Sequence, residues 1–195
     1  MSEAIFSFDR SILLWIQDSI RVAALNPVVS FITHLGNAGI LWIALTLLML
    51  CLQKTRRTGV TCAISMIIGL IVANLILKNW IARIRPYVTI EELELLIEQQ
   101  KDWSFPSGHA TNSFACGWVM FRTMKKRYGV PALIMAILIT LSRIYVGVHY
   151  PTDIMAGTVI GICSAESAIA IVKILRGRFP AFRRFTSRKK KRAKA

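Results

Sequence analysis

A chain of 195 residues that is 54% hydrophobic yet carries 25 Lys and Arg against 10 Asp and Glu is not built like a soluble domain. Its mean hydropathy is +0.52, and its charges gather at the ends of long apolar runs, as membrane helices require. That excludes an ordinary soluble domain and predicts one all-α membrane domain. Met1-Ser2-Glu3-Ala4 lacks the basic start and small-residue cleavage site of a secretory signal peptide, so no removal is expected. Cys51, Cys62, Cys116 and Cys163 all lie within apolar runs. They read as small packing residues rather than a disulfide framework or a zinc pattern.

In chain order, residues 8–22 come first, with Ile12, Leu13, Ile16 and Ile20 on one helical side and Arg10, Gln17 and Arg21 on another. This amphipathic pattern suits a helix lying in the membrane interface. A sixth crossing from the same segment would submerge Asp18 and Arg21 and ranks second. Five stretches are then apolar and long enough to span: 27–52, 59–80, 107–124, 130–147 and 152–175. The expectation is a polytopic transmembrane helical bundle of five spans, six being possible, divided as 1–25 (N-terminal interfacial segment), 26–176 (membrane domain) and 177–195 (basic tail).

Cytoplasmic loops are enriched in Lys and Arg, which orients the spans. Lys54, Arg56 and Arg57 follow the first, Arg122, Lys125, Lys126 and Arg127 the third, and eleven more basic residues lie from Lys173 onward. All share one side under a five-span reading. Glu91, Glu92, Glu94, Glu98 and Asp102 cluster in the connection after the second span, so 79–106 and 148–151 are expected outside the cytoplasm. Within the longer connection, Thr89 with Glu92 three residues on suggests a capping box opening a short helix. Ile90, Leu93, Leu96 and Ile97 would then rest on the bilayer.

Three polar clusters fall at the extracytoplasmic ends of these spans, where an apolar protein would least tolerate them. In the first, Lys78 and Arg85 are seven residues apart, about two helical turns, which places them on one face roughly 10 Å apart. Two long cationic side chains at that spacing can close on one anion, and Pro86 is expected to end the span. The second is Pro106-Ser107-Gly108-His109 at a helix start. Free N–H groups and the positive dipole end favour a phosphate there, and Gly108 allows close approach. Ser107 adds a hydroxyl, and His109 is placed to protonate a leaving oxygen. The third runs from Ser142-Arg143 to His149 and Asp153. A carboxylate four residues after a histidine can hold one imidazole nitrogen and leave the other free to attack.

In order and spacing these clusters, from Lys78 to Asp153, resemble the three signature motifs of the type 2 phosphatidic acid phosphatase family, which includes bacterial acid phosphatases and vanadium haloperoxidases. The resemblance covers about two fifths of the chain. It implies His149 as nucleophile, Asp153 as its orienting partner and His109 as general acid, with Lys78, Arg85, Ser107, Gly108 and Arg143 binding phosphoryl oxygens. No metal or other cofactor is implied, since fixed cations can take the place of Mg²⁺ around the equatorial oxygens of phosphoryl transfer. Activity is expected to fall at alkaline pH as His109 loses its proton. The implied substrate is a membrane lipid phosphate or diphosphate, undecaprenyl diphosphate being favoured and phosphatidate or phosphatidylglycerol phosphate the alternative. The setting is a bacterial-type plasma membrane, with the site outside and the tail in the cytoplasm.

Blander readings compete. Lys78, Arg85 and Arg143 are of a type that commonly snorkels at helix ends, but they stand on the side otherwise poor in basic charge. A metal held by the two histidines has only Asp153 as an obvious third ligand and nearby cations to repel it. A haloperoxidase would be soluble and larger. A non-catalytic lipid transporter or scaffold would need neither histidine. Glu166, deep in the last span, matches no motif and reads as structural, protonated or bonded to a neighbouring helix, ahead of a part in proton handling. His34 and Asn37 read as packing or interface residues. The basic run 188–192 suits anionic lipid better than nucleic acid, and no obligate protein partner is indicated.

Overall fold

The computed structural model describes residues 3–187, and these are all-helical apart from turns and connections. The elements are α1 (Glu3–Ser19), α2 (Asn26–Leu35), α3 (Ile40–Cys51), α4 (Arg56–Gly69), α5 (Lys78–Ile81), α6 (Pro86–Thr89), α7 (Gly108–Thr123), α8 (Lys126–Tyr145), α9 (Pro151–Arg178) and α10 (Pro180–Phe185). A π-helical stretch, Leu70–Leu77, joins α4 to α5, and a 3₁₀ turn, Asn37–Gly39, separates α2 from α3.

Three helical runs are long and apolar enough to cross a membrane: Arg56–Thr89, Lys126–Tyr145 and Pro151–Arg178. A fourth forms if α2 and the run Asn37–Cys51, bent by 47° at their junction, count as one broken span. The uninterrupted crossing expected over 27–52 is thus bent, with Ala38 at φ 50 and Gly39 at φ 70 in the left-handed region. The expected span 107–124 appears as α7, only 16 residues long.

α7 is the axis of the bundle, packed against α3, α4, α8 and α9. Its buried face is small or polar: Ala110, Thr111, Ser113, Ala115, Cys116 and Gly117. Small residues let helices approach closely where lipid supplies no hydrophobic drive between them. α9 answers with Gly157 and Gly161 one turn apart. A Cβ on Gly157 would stand 2.6 Å from the Ser107 carbonyl, and one on Gly161 2.6 Å from that of Thr111. Cross-helix hydrogen bonds add register, with Trp42 Nε1 donating to Ser113 Oγ at 3.0 Å and Ser65 Oγ to the Ala115 carbonyl at 2.9 Å. Large apolar residues instead face outward, among them Leu47, Ile71, Leu75, Ile134, Leu141, Val159 and Ile174. That inversion suits a lipid-facing surface.

The basic connections share one end. Thr58 and Thr123 hydroxyls meet at 3.1 Å, the Arg56 guanidinium lies over the Phe185 ring, and Arg176 donates to Thr186. A cleft of about 1010 Å³ opens there, lined by Lys54, Lys125, Arg127 and apolar residues of α3, α7 and α8; none of the motif residues lines it. The run 188–192 lies outside the described residues. Glu166 accepts from Trp118 Nε1 at 2.7 Å and pairs with Arg122, both on α7, which gives the acid a bonding partner on a neighbouring helix.

At the other end α1 docks beside α8 and α9, with Leu13 buried among Ile90, Leu93, Ile144, Tyr150 and Ile154. Two local expectations fail here. No helix opens at Thr89, whose hydroxyl instead bonds Tyr150 at 2.5 Å and the Pro86 carbonyl at 3.3 Å, so it is not free to cap. Ile90 and Leu93 are buried in the protein, not on the bilayer, because α1 covers them. Gln17 bonds both the Glu92 carbonyl and the Glu94 amide, and Arg10 pairs with Glu92.

Candidate active site

The helix carrying Lys78 stops at Ile81, because Ala82 turns into the left-handed region at φ 46. Pro86 does not end that helix; it opens α6 at its first turn, where its missing N–H costs nothing. Lys78 and Arg85 are therefore not two turns apart on one face. They converge because the chain reverses between them. Both are buried, and both donate to Asp102: Lys78 Nζ to Oδ2 at 2.5 Å, Arg85 Nη2 to Oδ1 at 2.6 Å. Burial would raise the Asp102 carboxyl, but the Lys78 hydrogen bond and charge, followed by those of Arg85, outweigh it and bring the pKa to about 2.

Arg85 also fixes His149. Its Nη1 donates to the Val148 carbonyl at 2.7 Å and stands 3.4 Å from His149 Nε2. A guanidinium only donates, so Nε2 is the acceptor and the ring proton belongs on Nδ1. Nδ1 in turn faces Asp153 Oδ2 at 3.4 Å and Ser104 Oγ at 3.5 Å. His149 sits in the connection between α8 and α9. Burial, then the charges of Arg85, Arg143 and Lys78, hold it well below the ordinary histidine value, with Asp102 pulling the other way. The imidazole is neutral at neutral pH, with its lone pair on Nε2.

Asp153 lies in the first turn of α9 and is fully buried. Its Oδ2 accepts from Ser104 Oγ at 2.5 Å and from the Tyr150 amide at 3.0 Å, and its Oδ1 from Arg83 Nη1 at 2.5 Å. Arg83 reaches on to Asp9 Oδ2 at 2.6 Å. His109, in the first turn of α7, bonds through Nε2 to Asn37 Oδ1 at 3.1 Å and lies within electrostatic reach of Arg143, His149, Lys78 and Arg85. Asn37 belongs to the bend between α2 and α3, so that bend forms a wall of the site. A Cβ on Gly36 would come within 2.5 Å of His109 Cδ2.

Arg143 is completely buried; its Nη1 donates to Thr33 Oγ1 at 2.6 Å, while its Nε has no partner among the described residues. Ser107 is the N-cap of α7, accepting from the Ala110 amide at 3.5 Å, and its own amide donates to the Asp153 carbonyl at 3.2 Å. The space beside Gly108 faces the Asn74 side chain.

The three motifs named from sequence thus occupy one end of the bundle, with Lys78, Arg85, His149 and Asp153 in direct or one-residue contact. Sequence reasoning missed Ser104, Arg83 and Asp9 around the Asp153 carboxylate, and Asn37 beside His109. It counted Asp102 only as loop charge. Arg83 lay inside the first motif but looked like spacer. The others gave no signal, because their partners are remote in sequence.

Among proteins of known name, an undecaprenyl-diphosphatase of Sulfolobus acidocaldarius is 33% identical over 141 residues, covering 72% of this chain and 68% of that one. The undecaprenyl-diphosphatase BcrC of Bacillus subtilis is 32% identical, covering 72% and 71%. Phosphatidylglycerophosphatase B of the same organism is 30% identical, covering 73% of each. Two crystal structures share the fold. LpxE of Aquifex aeolicus has a TM-score of 0.77 at 24% identity over 87% of this chain and 99% of that one. A transmembrane PAP2-type phosphatidylglycerolphosphate phosphatase of Bacillus subtilis has 0.73 at 27% over 91% and 90%. Residues 58–176, which hold all three motifs, match the PAP2 superfamily, and the chain belongs to that family of phosphatases.

Proposed function

We propose that this integral membrane protein is a lipid phosphatase that converts undecaprenyl diphosphate to undecaprenyl phosphate through a phosphohistidine. The observation that carries the chemistry is the state of His149: neutral, protonated on Nδ1 toward Asp153, and with Nε2 facing Arg85 between the site's cations. The terminal phosphoryl group of the substrate takes the place now filled by the Asp102 carboxylate, bound by Lys78 and Arg85, with Arg143 and the start of α7 completing the cradle. His149 Nε2 attacks phosphorus in line, a P–N bond forms, and the bond to the bridging oxygen breaks. His109 donates its proton to that oxygen and lipid monophosphate leaves. Water, deprotonated by His109, then attacks phosphorus, the P–N bond breaks, inorganic phosphate departs and His149 is restored.

The preference for an isoprenoid diphosphate is supported by two relatives named undecaprenyl-diphosphatase at 33% and 32% identity. Phosphatidylglycerol phosphate is the second reading, favoured by the relative named phosphatidylglycerophosphatase B. The reading includes five crossings, α7 being the additional one, with α1 in the interface. Charge asymmetry supports the site facing outward, the basic end in the cytoplasm and the tail on anionic lipid.

Phosphate release decides it. Detergent-purified protein in EDTA is offered undecaprenyl diphosphate, phosphatidylglycerol phosphate and phosphatidate, beside His149→Ala. Release is expected to be fastest from the diphosphate and to fall on the order of a thousandfold or more in the variant. Undiminished release by His149→Ala overturns the mechanism, and faster release from phosphatidylglycerol phosphate overturns the substrate.

A further inference from the structure

The named motif residues account for one side of Asp153; the other side is held by Arg83 and Thr152, spacer positions of the first and third motifs, and by Asp9, which lies outside all three. Arg83, 8% exposed, lies between two fully buried carboxylates, donating to Asp153 Oδ1 at 2.5 Å and to Asp9 Oδ2 at 2.6 Å. Thr152 clamps Arg83 and Asp9 together. Its amide donates to Asp9 Oδ1 at 3.0 Å, its hydroxyl to Asp9 Oδ2 at 2.6 Å, and it accepts from Arg83 Nη1 at 2.8 Å. The guanidinium lies 3.6 Å from the centre of the Tyr150 ring, while its Nε has no partner among the described residues, whose hydrogen bonds with it run through the two Nη groups. The Arg83 carbonyl accepts from the Ser104 amide at 2.8 Å, and Ser104 Oγ bonds Asp153. Asp9 is on α1, the segment placed outside the membrane domain on sequence grounds.

One buried cation shared by two buried anions divides its pull between them. With Asp9 present, Arg83 is half neutralised and Asp153 keeps enough negative charge to accept from His149 Nδ1. With Asp9 uncharged, Arg83 would draw on Asp153 alone, weaken it as an acceptor and make His149 a poorer base. We infer that Asp9 is a positioning residue for the reaction: from α1, through Arg83 and Thr152, it sets the charge on Asp153 and hence the orientation and basicity of the His149 nucleophile. This rests on the phosphohistidine mechanism above. It makes α1 part of the catalytic unit rather than an attached membrane anchor.

His149 is faced by Asp153 on α9, Arg143 on α8, His109 on α7, Lys78 on α5, and Arg85 and Asp102 on the flanking connections; Asp9 and Arg83 stand behind Asp153. Removing one negative charge from this set moves the His149 titration to lower pH.

The test is Asp9→Asn, nearly isosteric, compared with wild type and His149→Ala in detergent. Three quantities are read: kcat and KM for phosphate release, the pH profile of kcat/KM, and the fraction of enzyme trapped as phosphohistidine by acid quench. The expected result is kcat lower by tenfold or more, KM within twofold, an acid limb displaced to lower pH, and a smaller trapped fraction, because phosphorylation of His149 is the step that slows. Wild-type kcat, or a lower kcat with an unmoved acid limb, overturns the proposal. If Asp9→Asn does not fold, Thr152→Val, which keeps the shape and removes only the bridging hydroxyl, decides by the same criteria with a smaller expected loss. Full activity in His149→Ala would instead remove the mechanism on which the proposal rests, while a dead His149→Ala beside a wild-type-like Asp9→Asn removes the proposal alone.

Discussion

The Asp102 carboxylate, one oxygen on Lys78 and the other on Arg85, occupies the position that the proposed mechanism gives to the phosphoryl group. With its pKa near 2, it stays charged at any working pH. The sign follows from a depressed carboxylate: its stabilising contribution is complete above the ordinary value near 4 and is lost only as pH falls from there through about 2. Under the proposed mechanism substrate therefore displaces Asp102 by competition and does not wait for it to protonate. Asp102→Asn is expected to bind inorganic phosphate several-fold more tightly, measured as a lower inhibition constant in the phosphatase assay. An equal or higher constant would mean that Asp102 serves to aim the two cations. The motif residues were legible in sequence because the chemistry dictates their types at short spacings. Arg83 and Asp9 were not, since the ion pair joins residues 74 positions apart and neither residue type is unusual where it stands.

The helix start at Ser107-Gly108-His109 is held against α9 by contacts with backbone rather than with adaptable side chains. At Gly161 a Cβ would meet the Thr111 carbonyl at 2.6 Å, the Phe114 Cβ at 2.8 Å and the Ala115 amide at 3.0 Å. Gly161→Leu should force α7 from α9 and destabilise the bundle by about 3 kcal/mol or more, with thermal unfolding in detergent as the measurement. Gly177, where an added Cβ would meet nothing within 4 Å among the described residues, is the control, and Gly177→Leu should leave the transition unchanged. Unfolding of Gly161→Leu at the wild-type temperature would show that the two helices can separate freely. Hydropathy located these helices well, because long apolar runs are its direct signal. It could not see the bend at Asn37 or the halt at Ala82. Both depend on left-handed backbone, and neither Asn37-Ala38 nor Ala82 announces it as a glycine-proline pair would.

Across the whole molecule, the acidic connection 90–102 and the basic ends of α3, α4, α7, α8 and α9 lie at opposite poles of the bundle. The expected topology puts the first outside the cell. Single cysteines introduced between 91 and 102, in a chain whose own cysteines are replaced, should react with an impermeant maleimide in intact cells; labelling only after permeabilisation would reverse the orientation. Charge asymmetry made that polarity readable without coordinates. The docking of α1 was hidden, because an amphipathic helix looks alike whether its apolar face meets lipid or protein. Leu13, buried among Ile90, Leu93 and Tyr150, meets protein.

α7 has one more consequence. Its 16 residues rise only about 24 Å, against about 30 Å of hydrocarbon in a typical bilayer. If α7 crosses in the proposed orientation, a helix that short, carrying His109 in its first turn, would set that histidine below the plane of the outer headgroups. The bilayer would then thin around it or admit a pit of water. In that arrangement a lipid phosphate would descend by a few ångströms and keep its tail in oil throughout, so the energetic burden of the proposed hydrolysis would fall on bringing water inward rather than on lifting the lipid out.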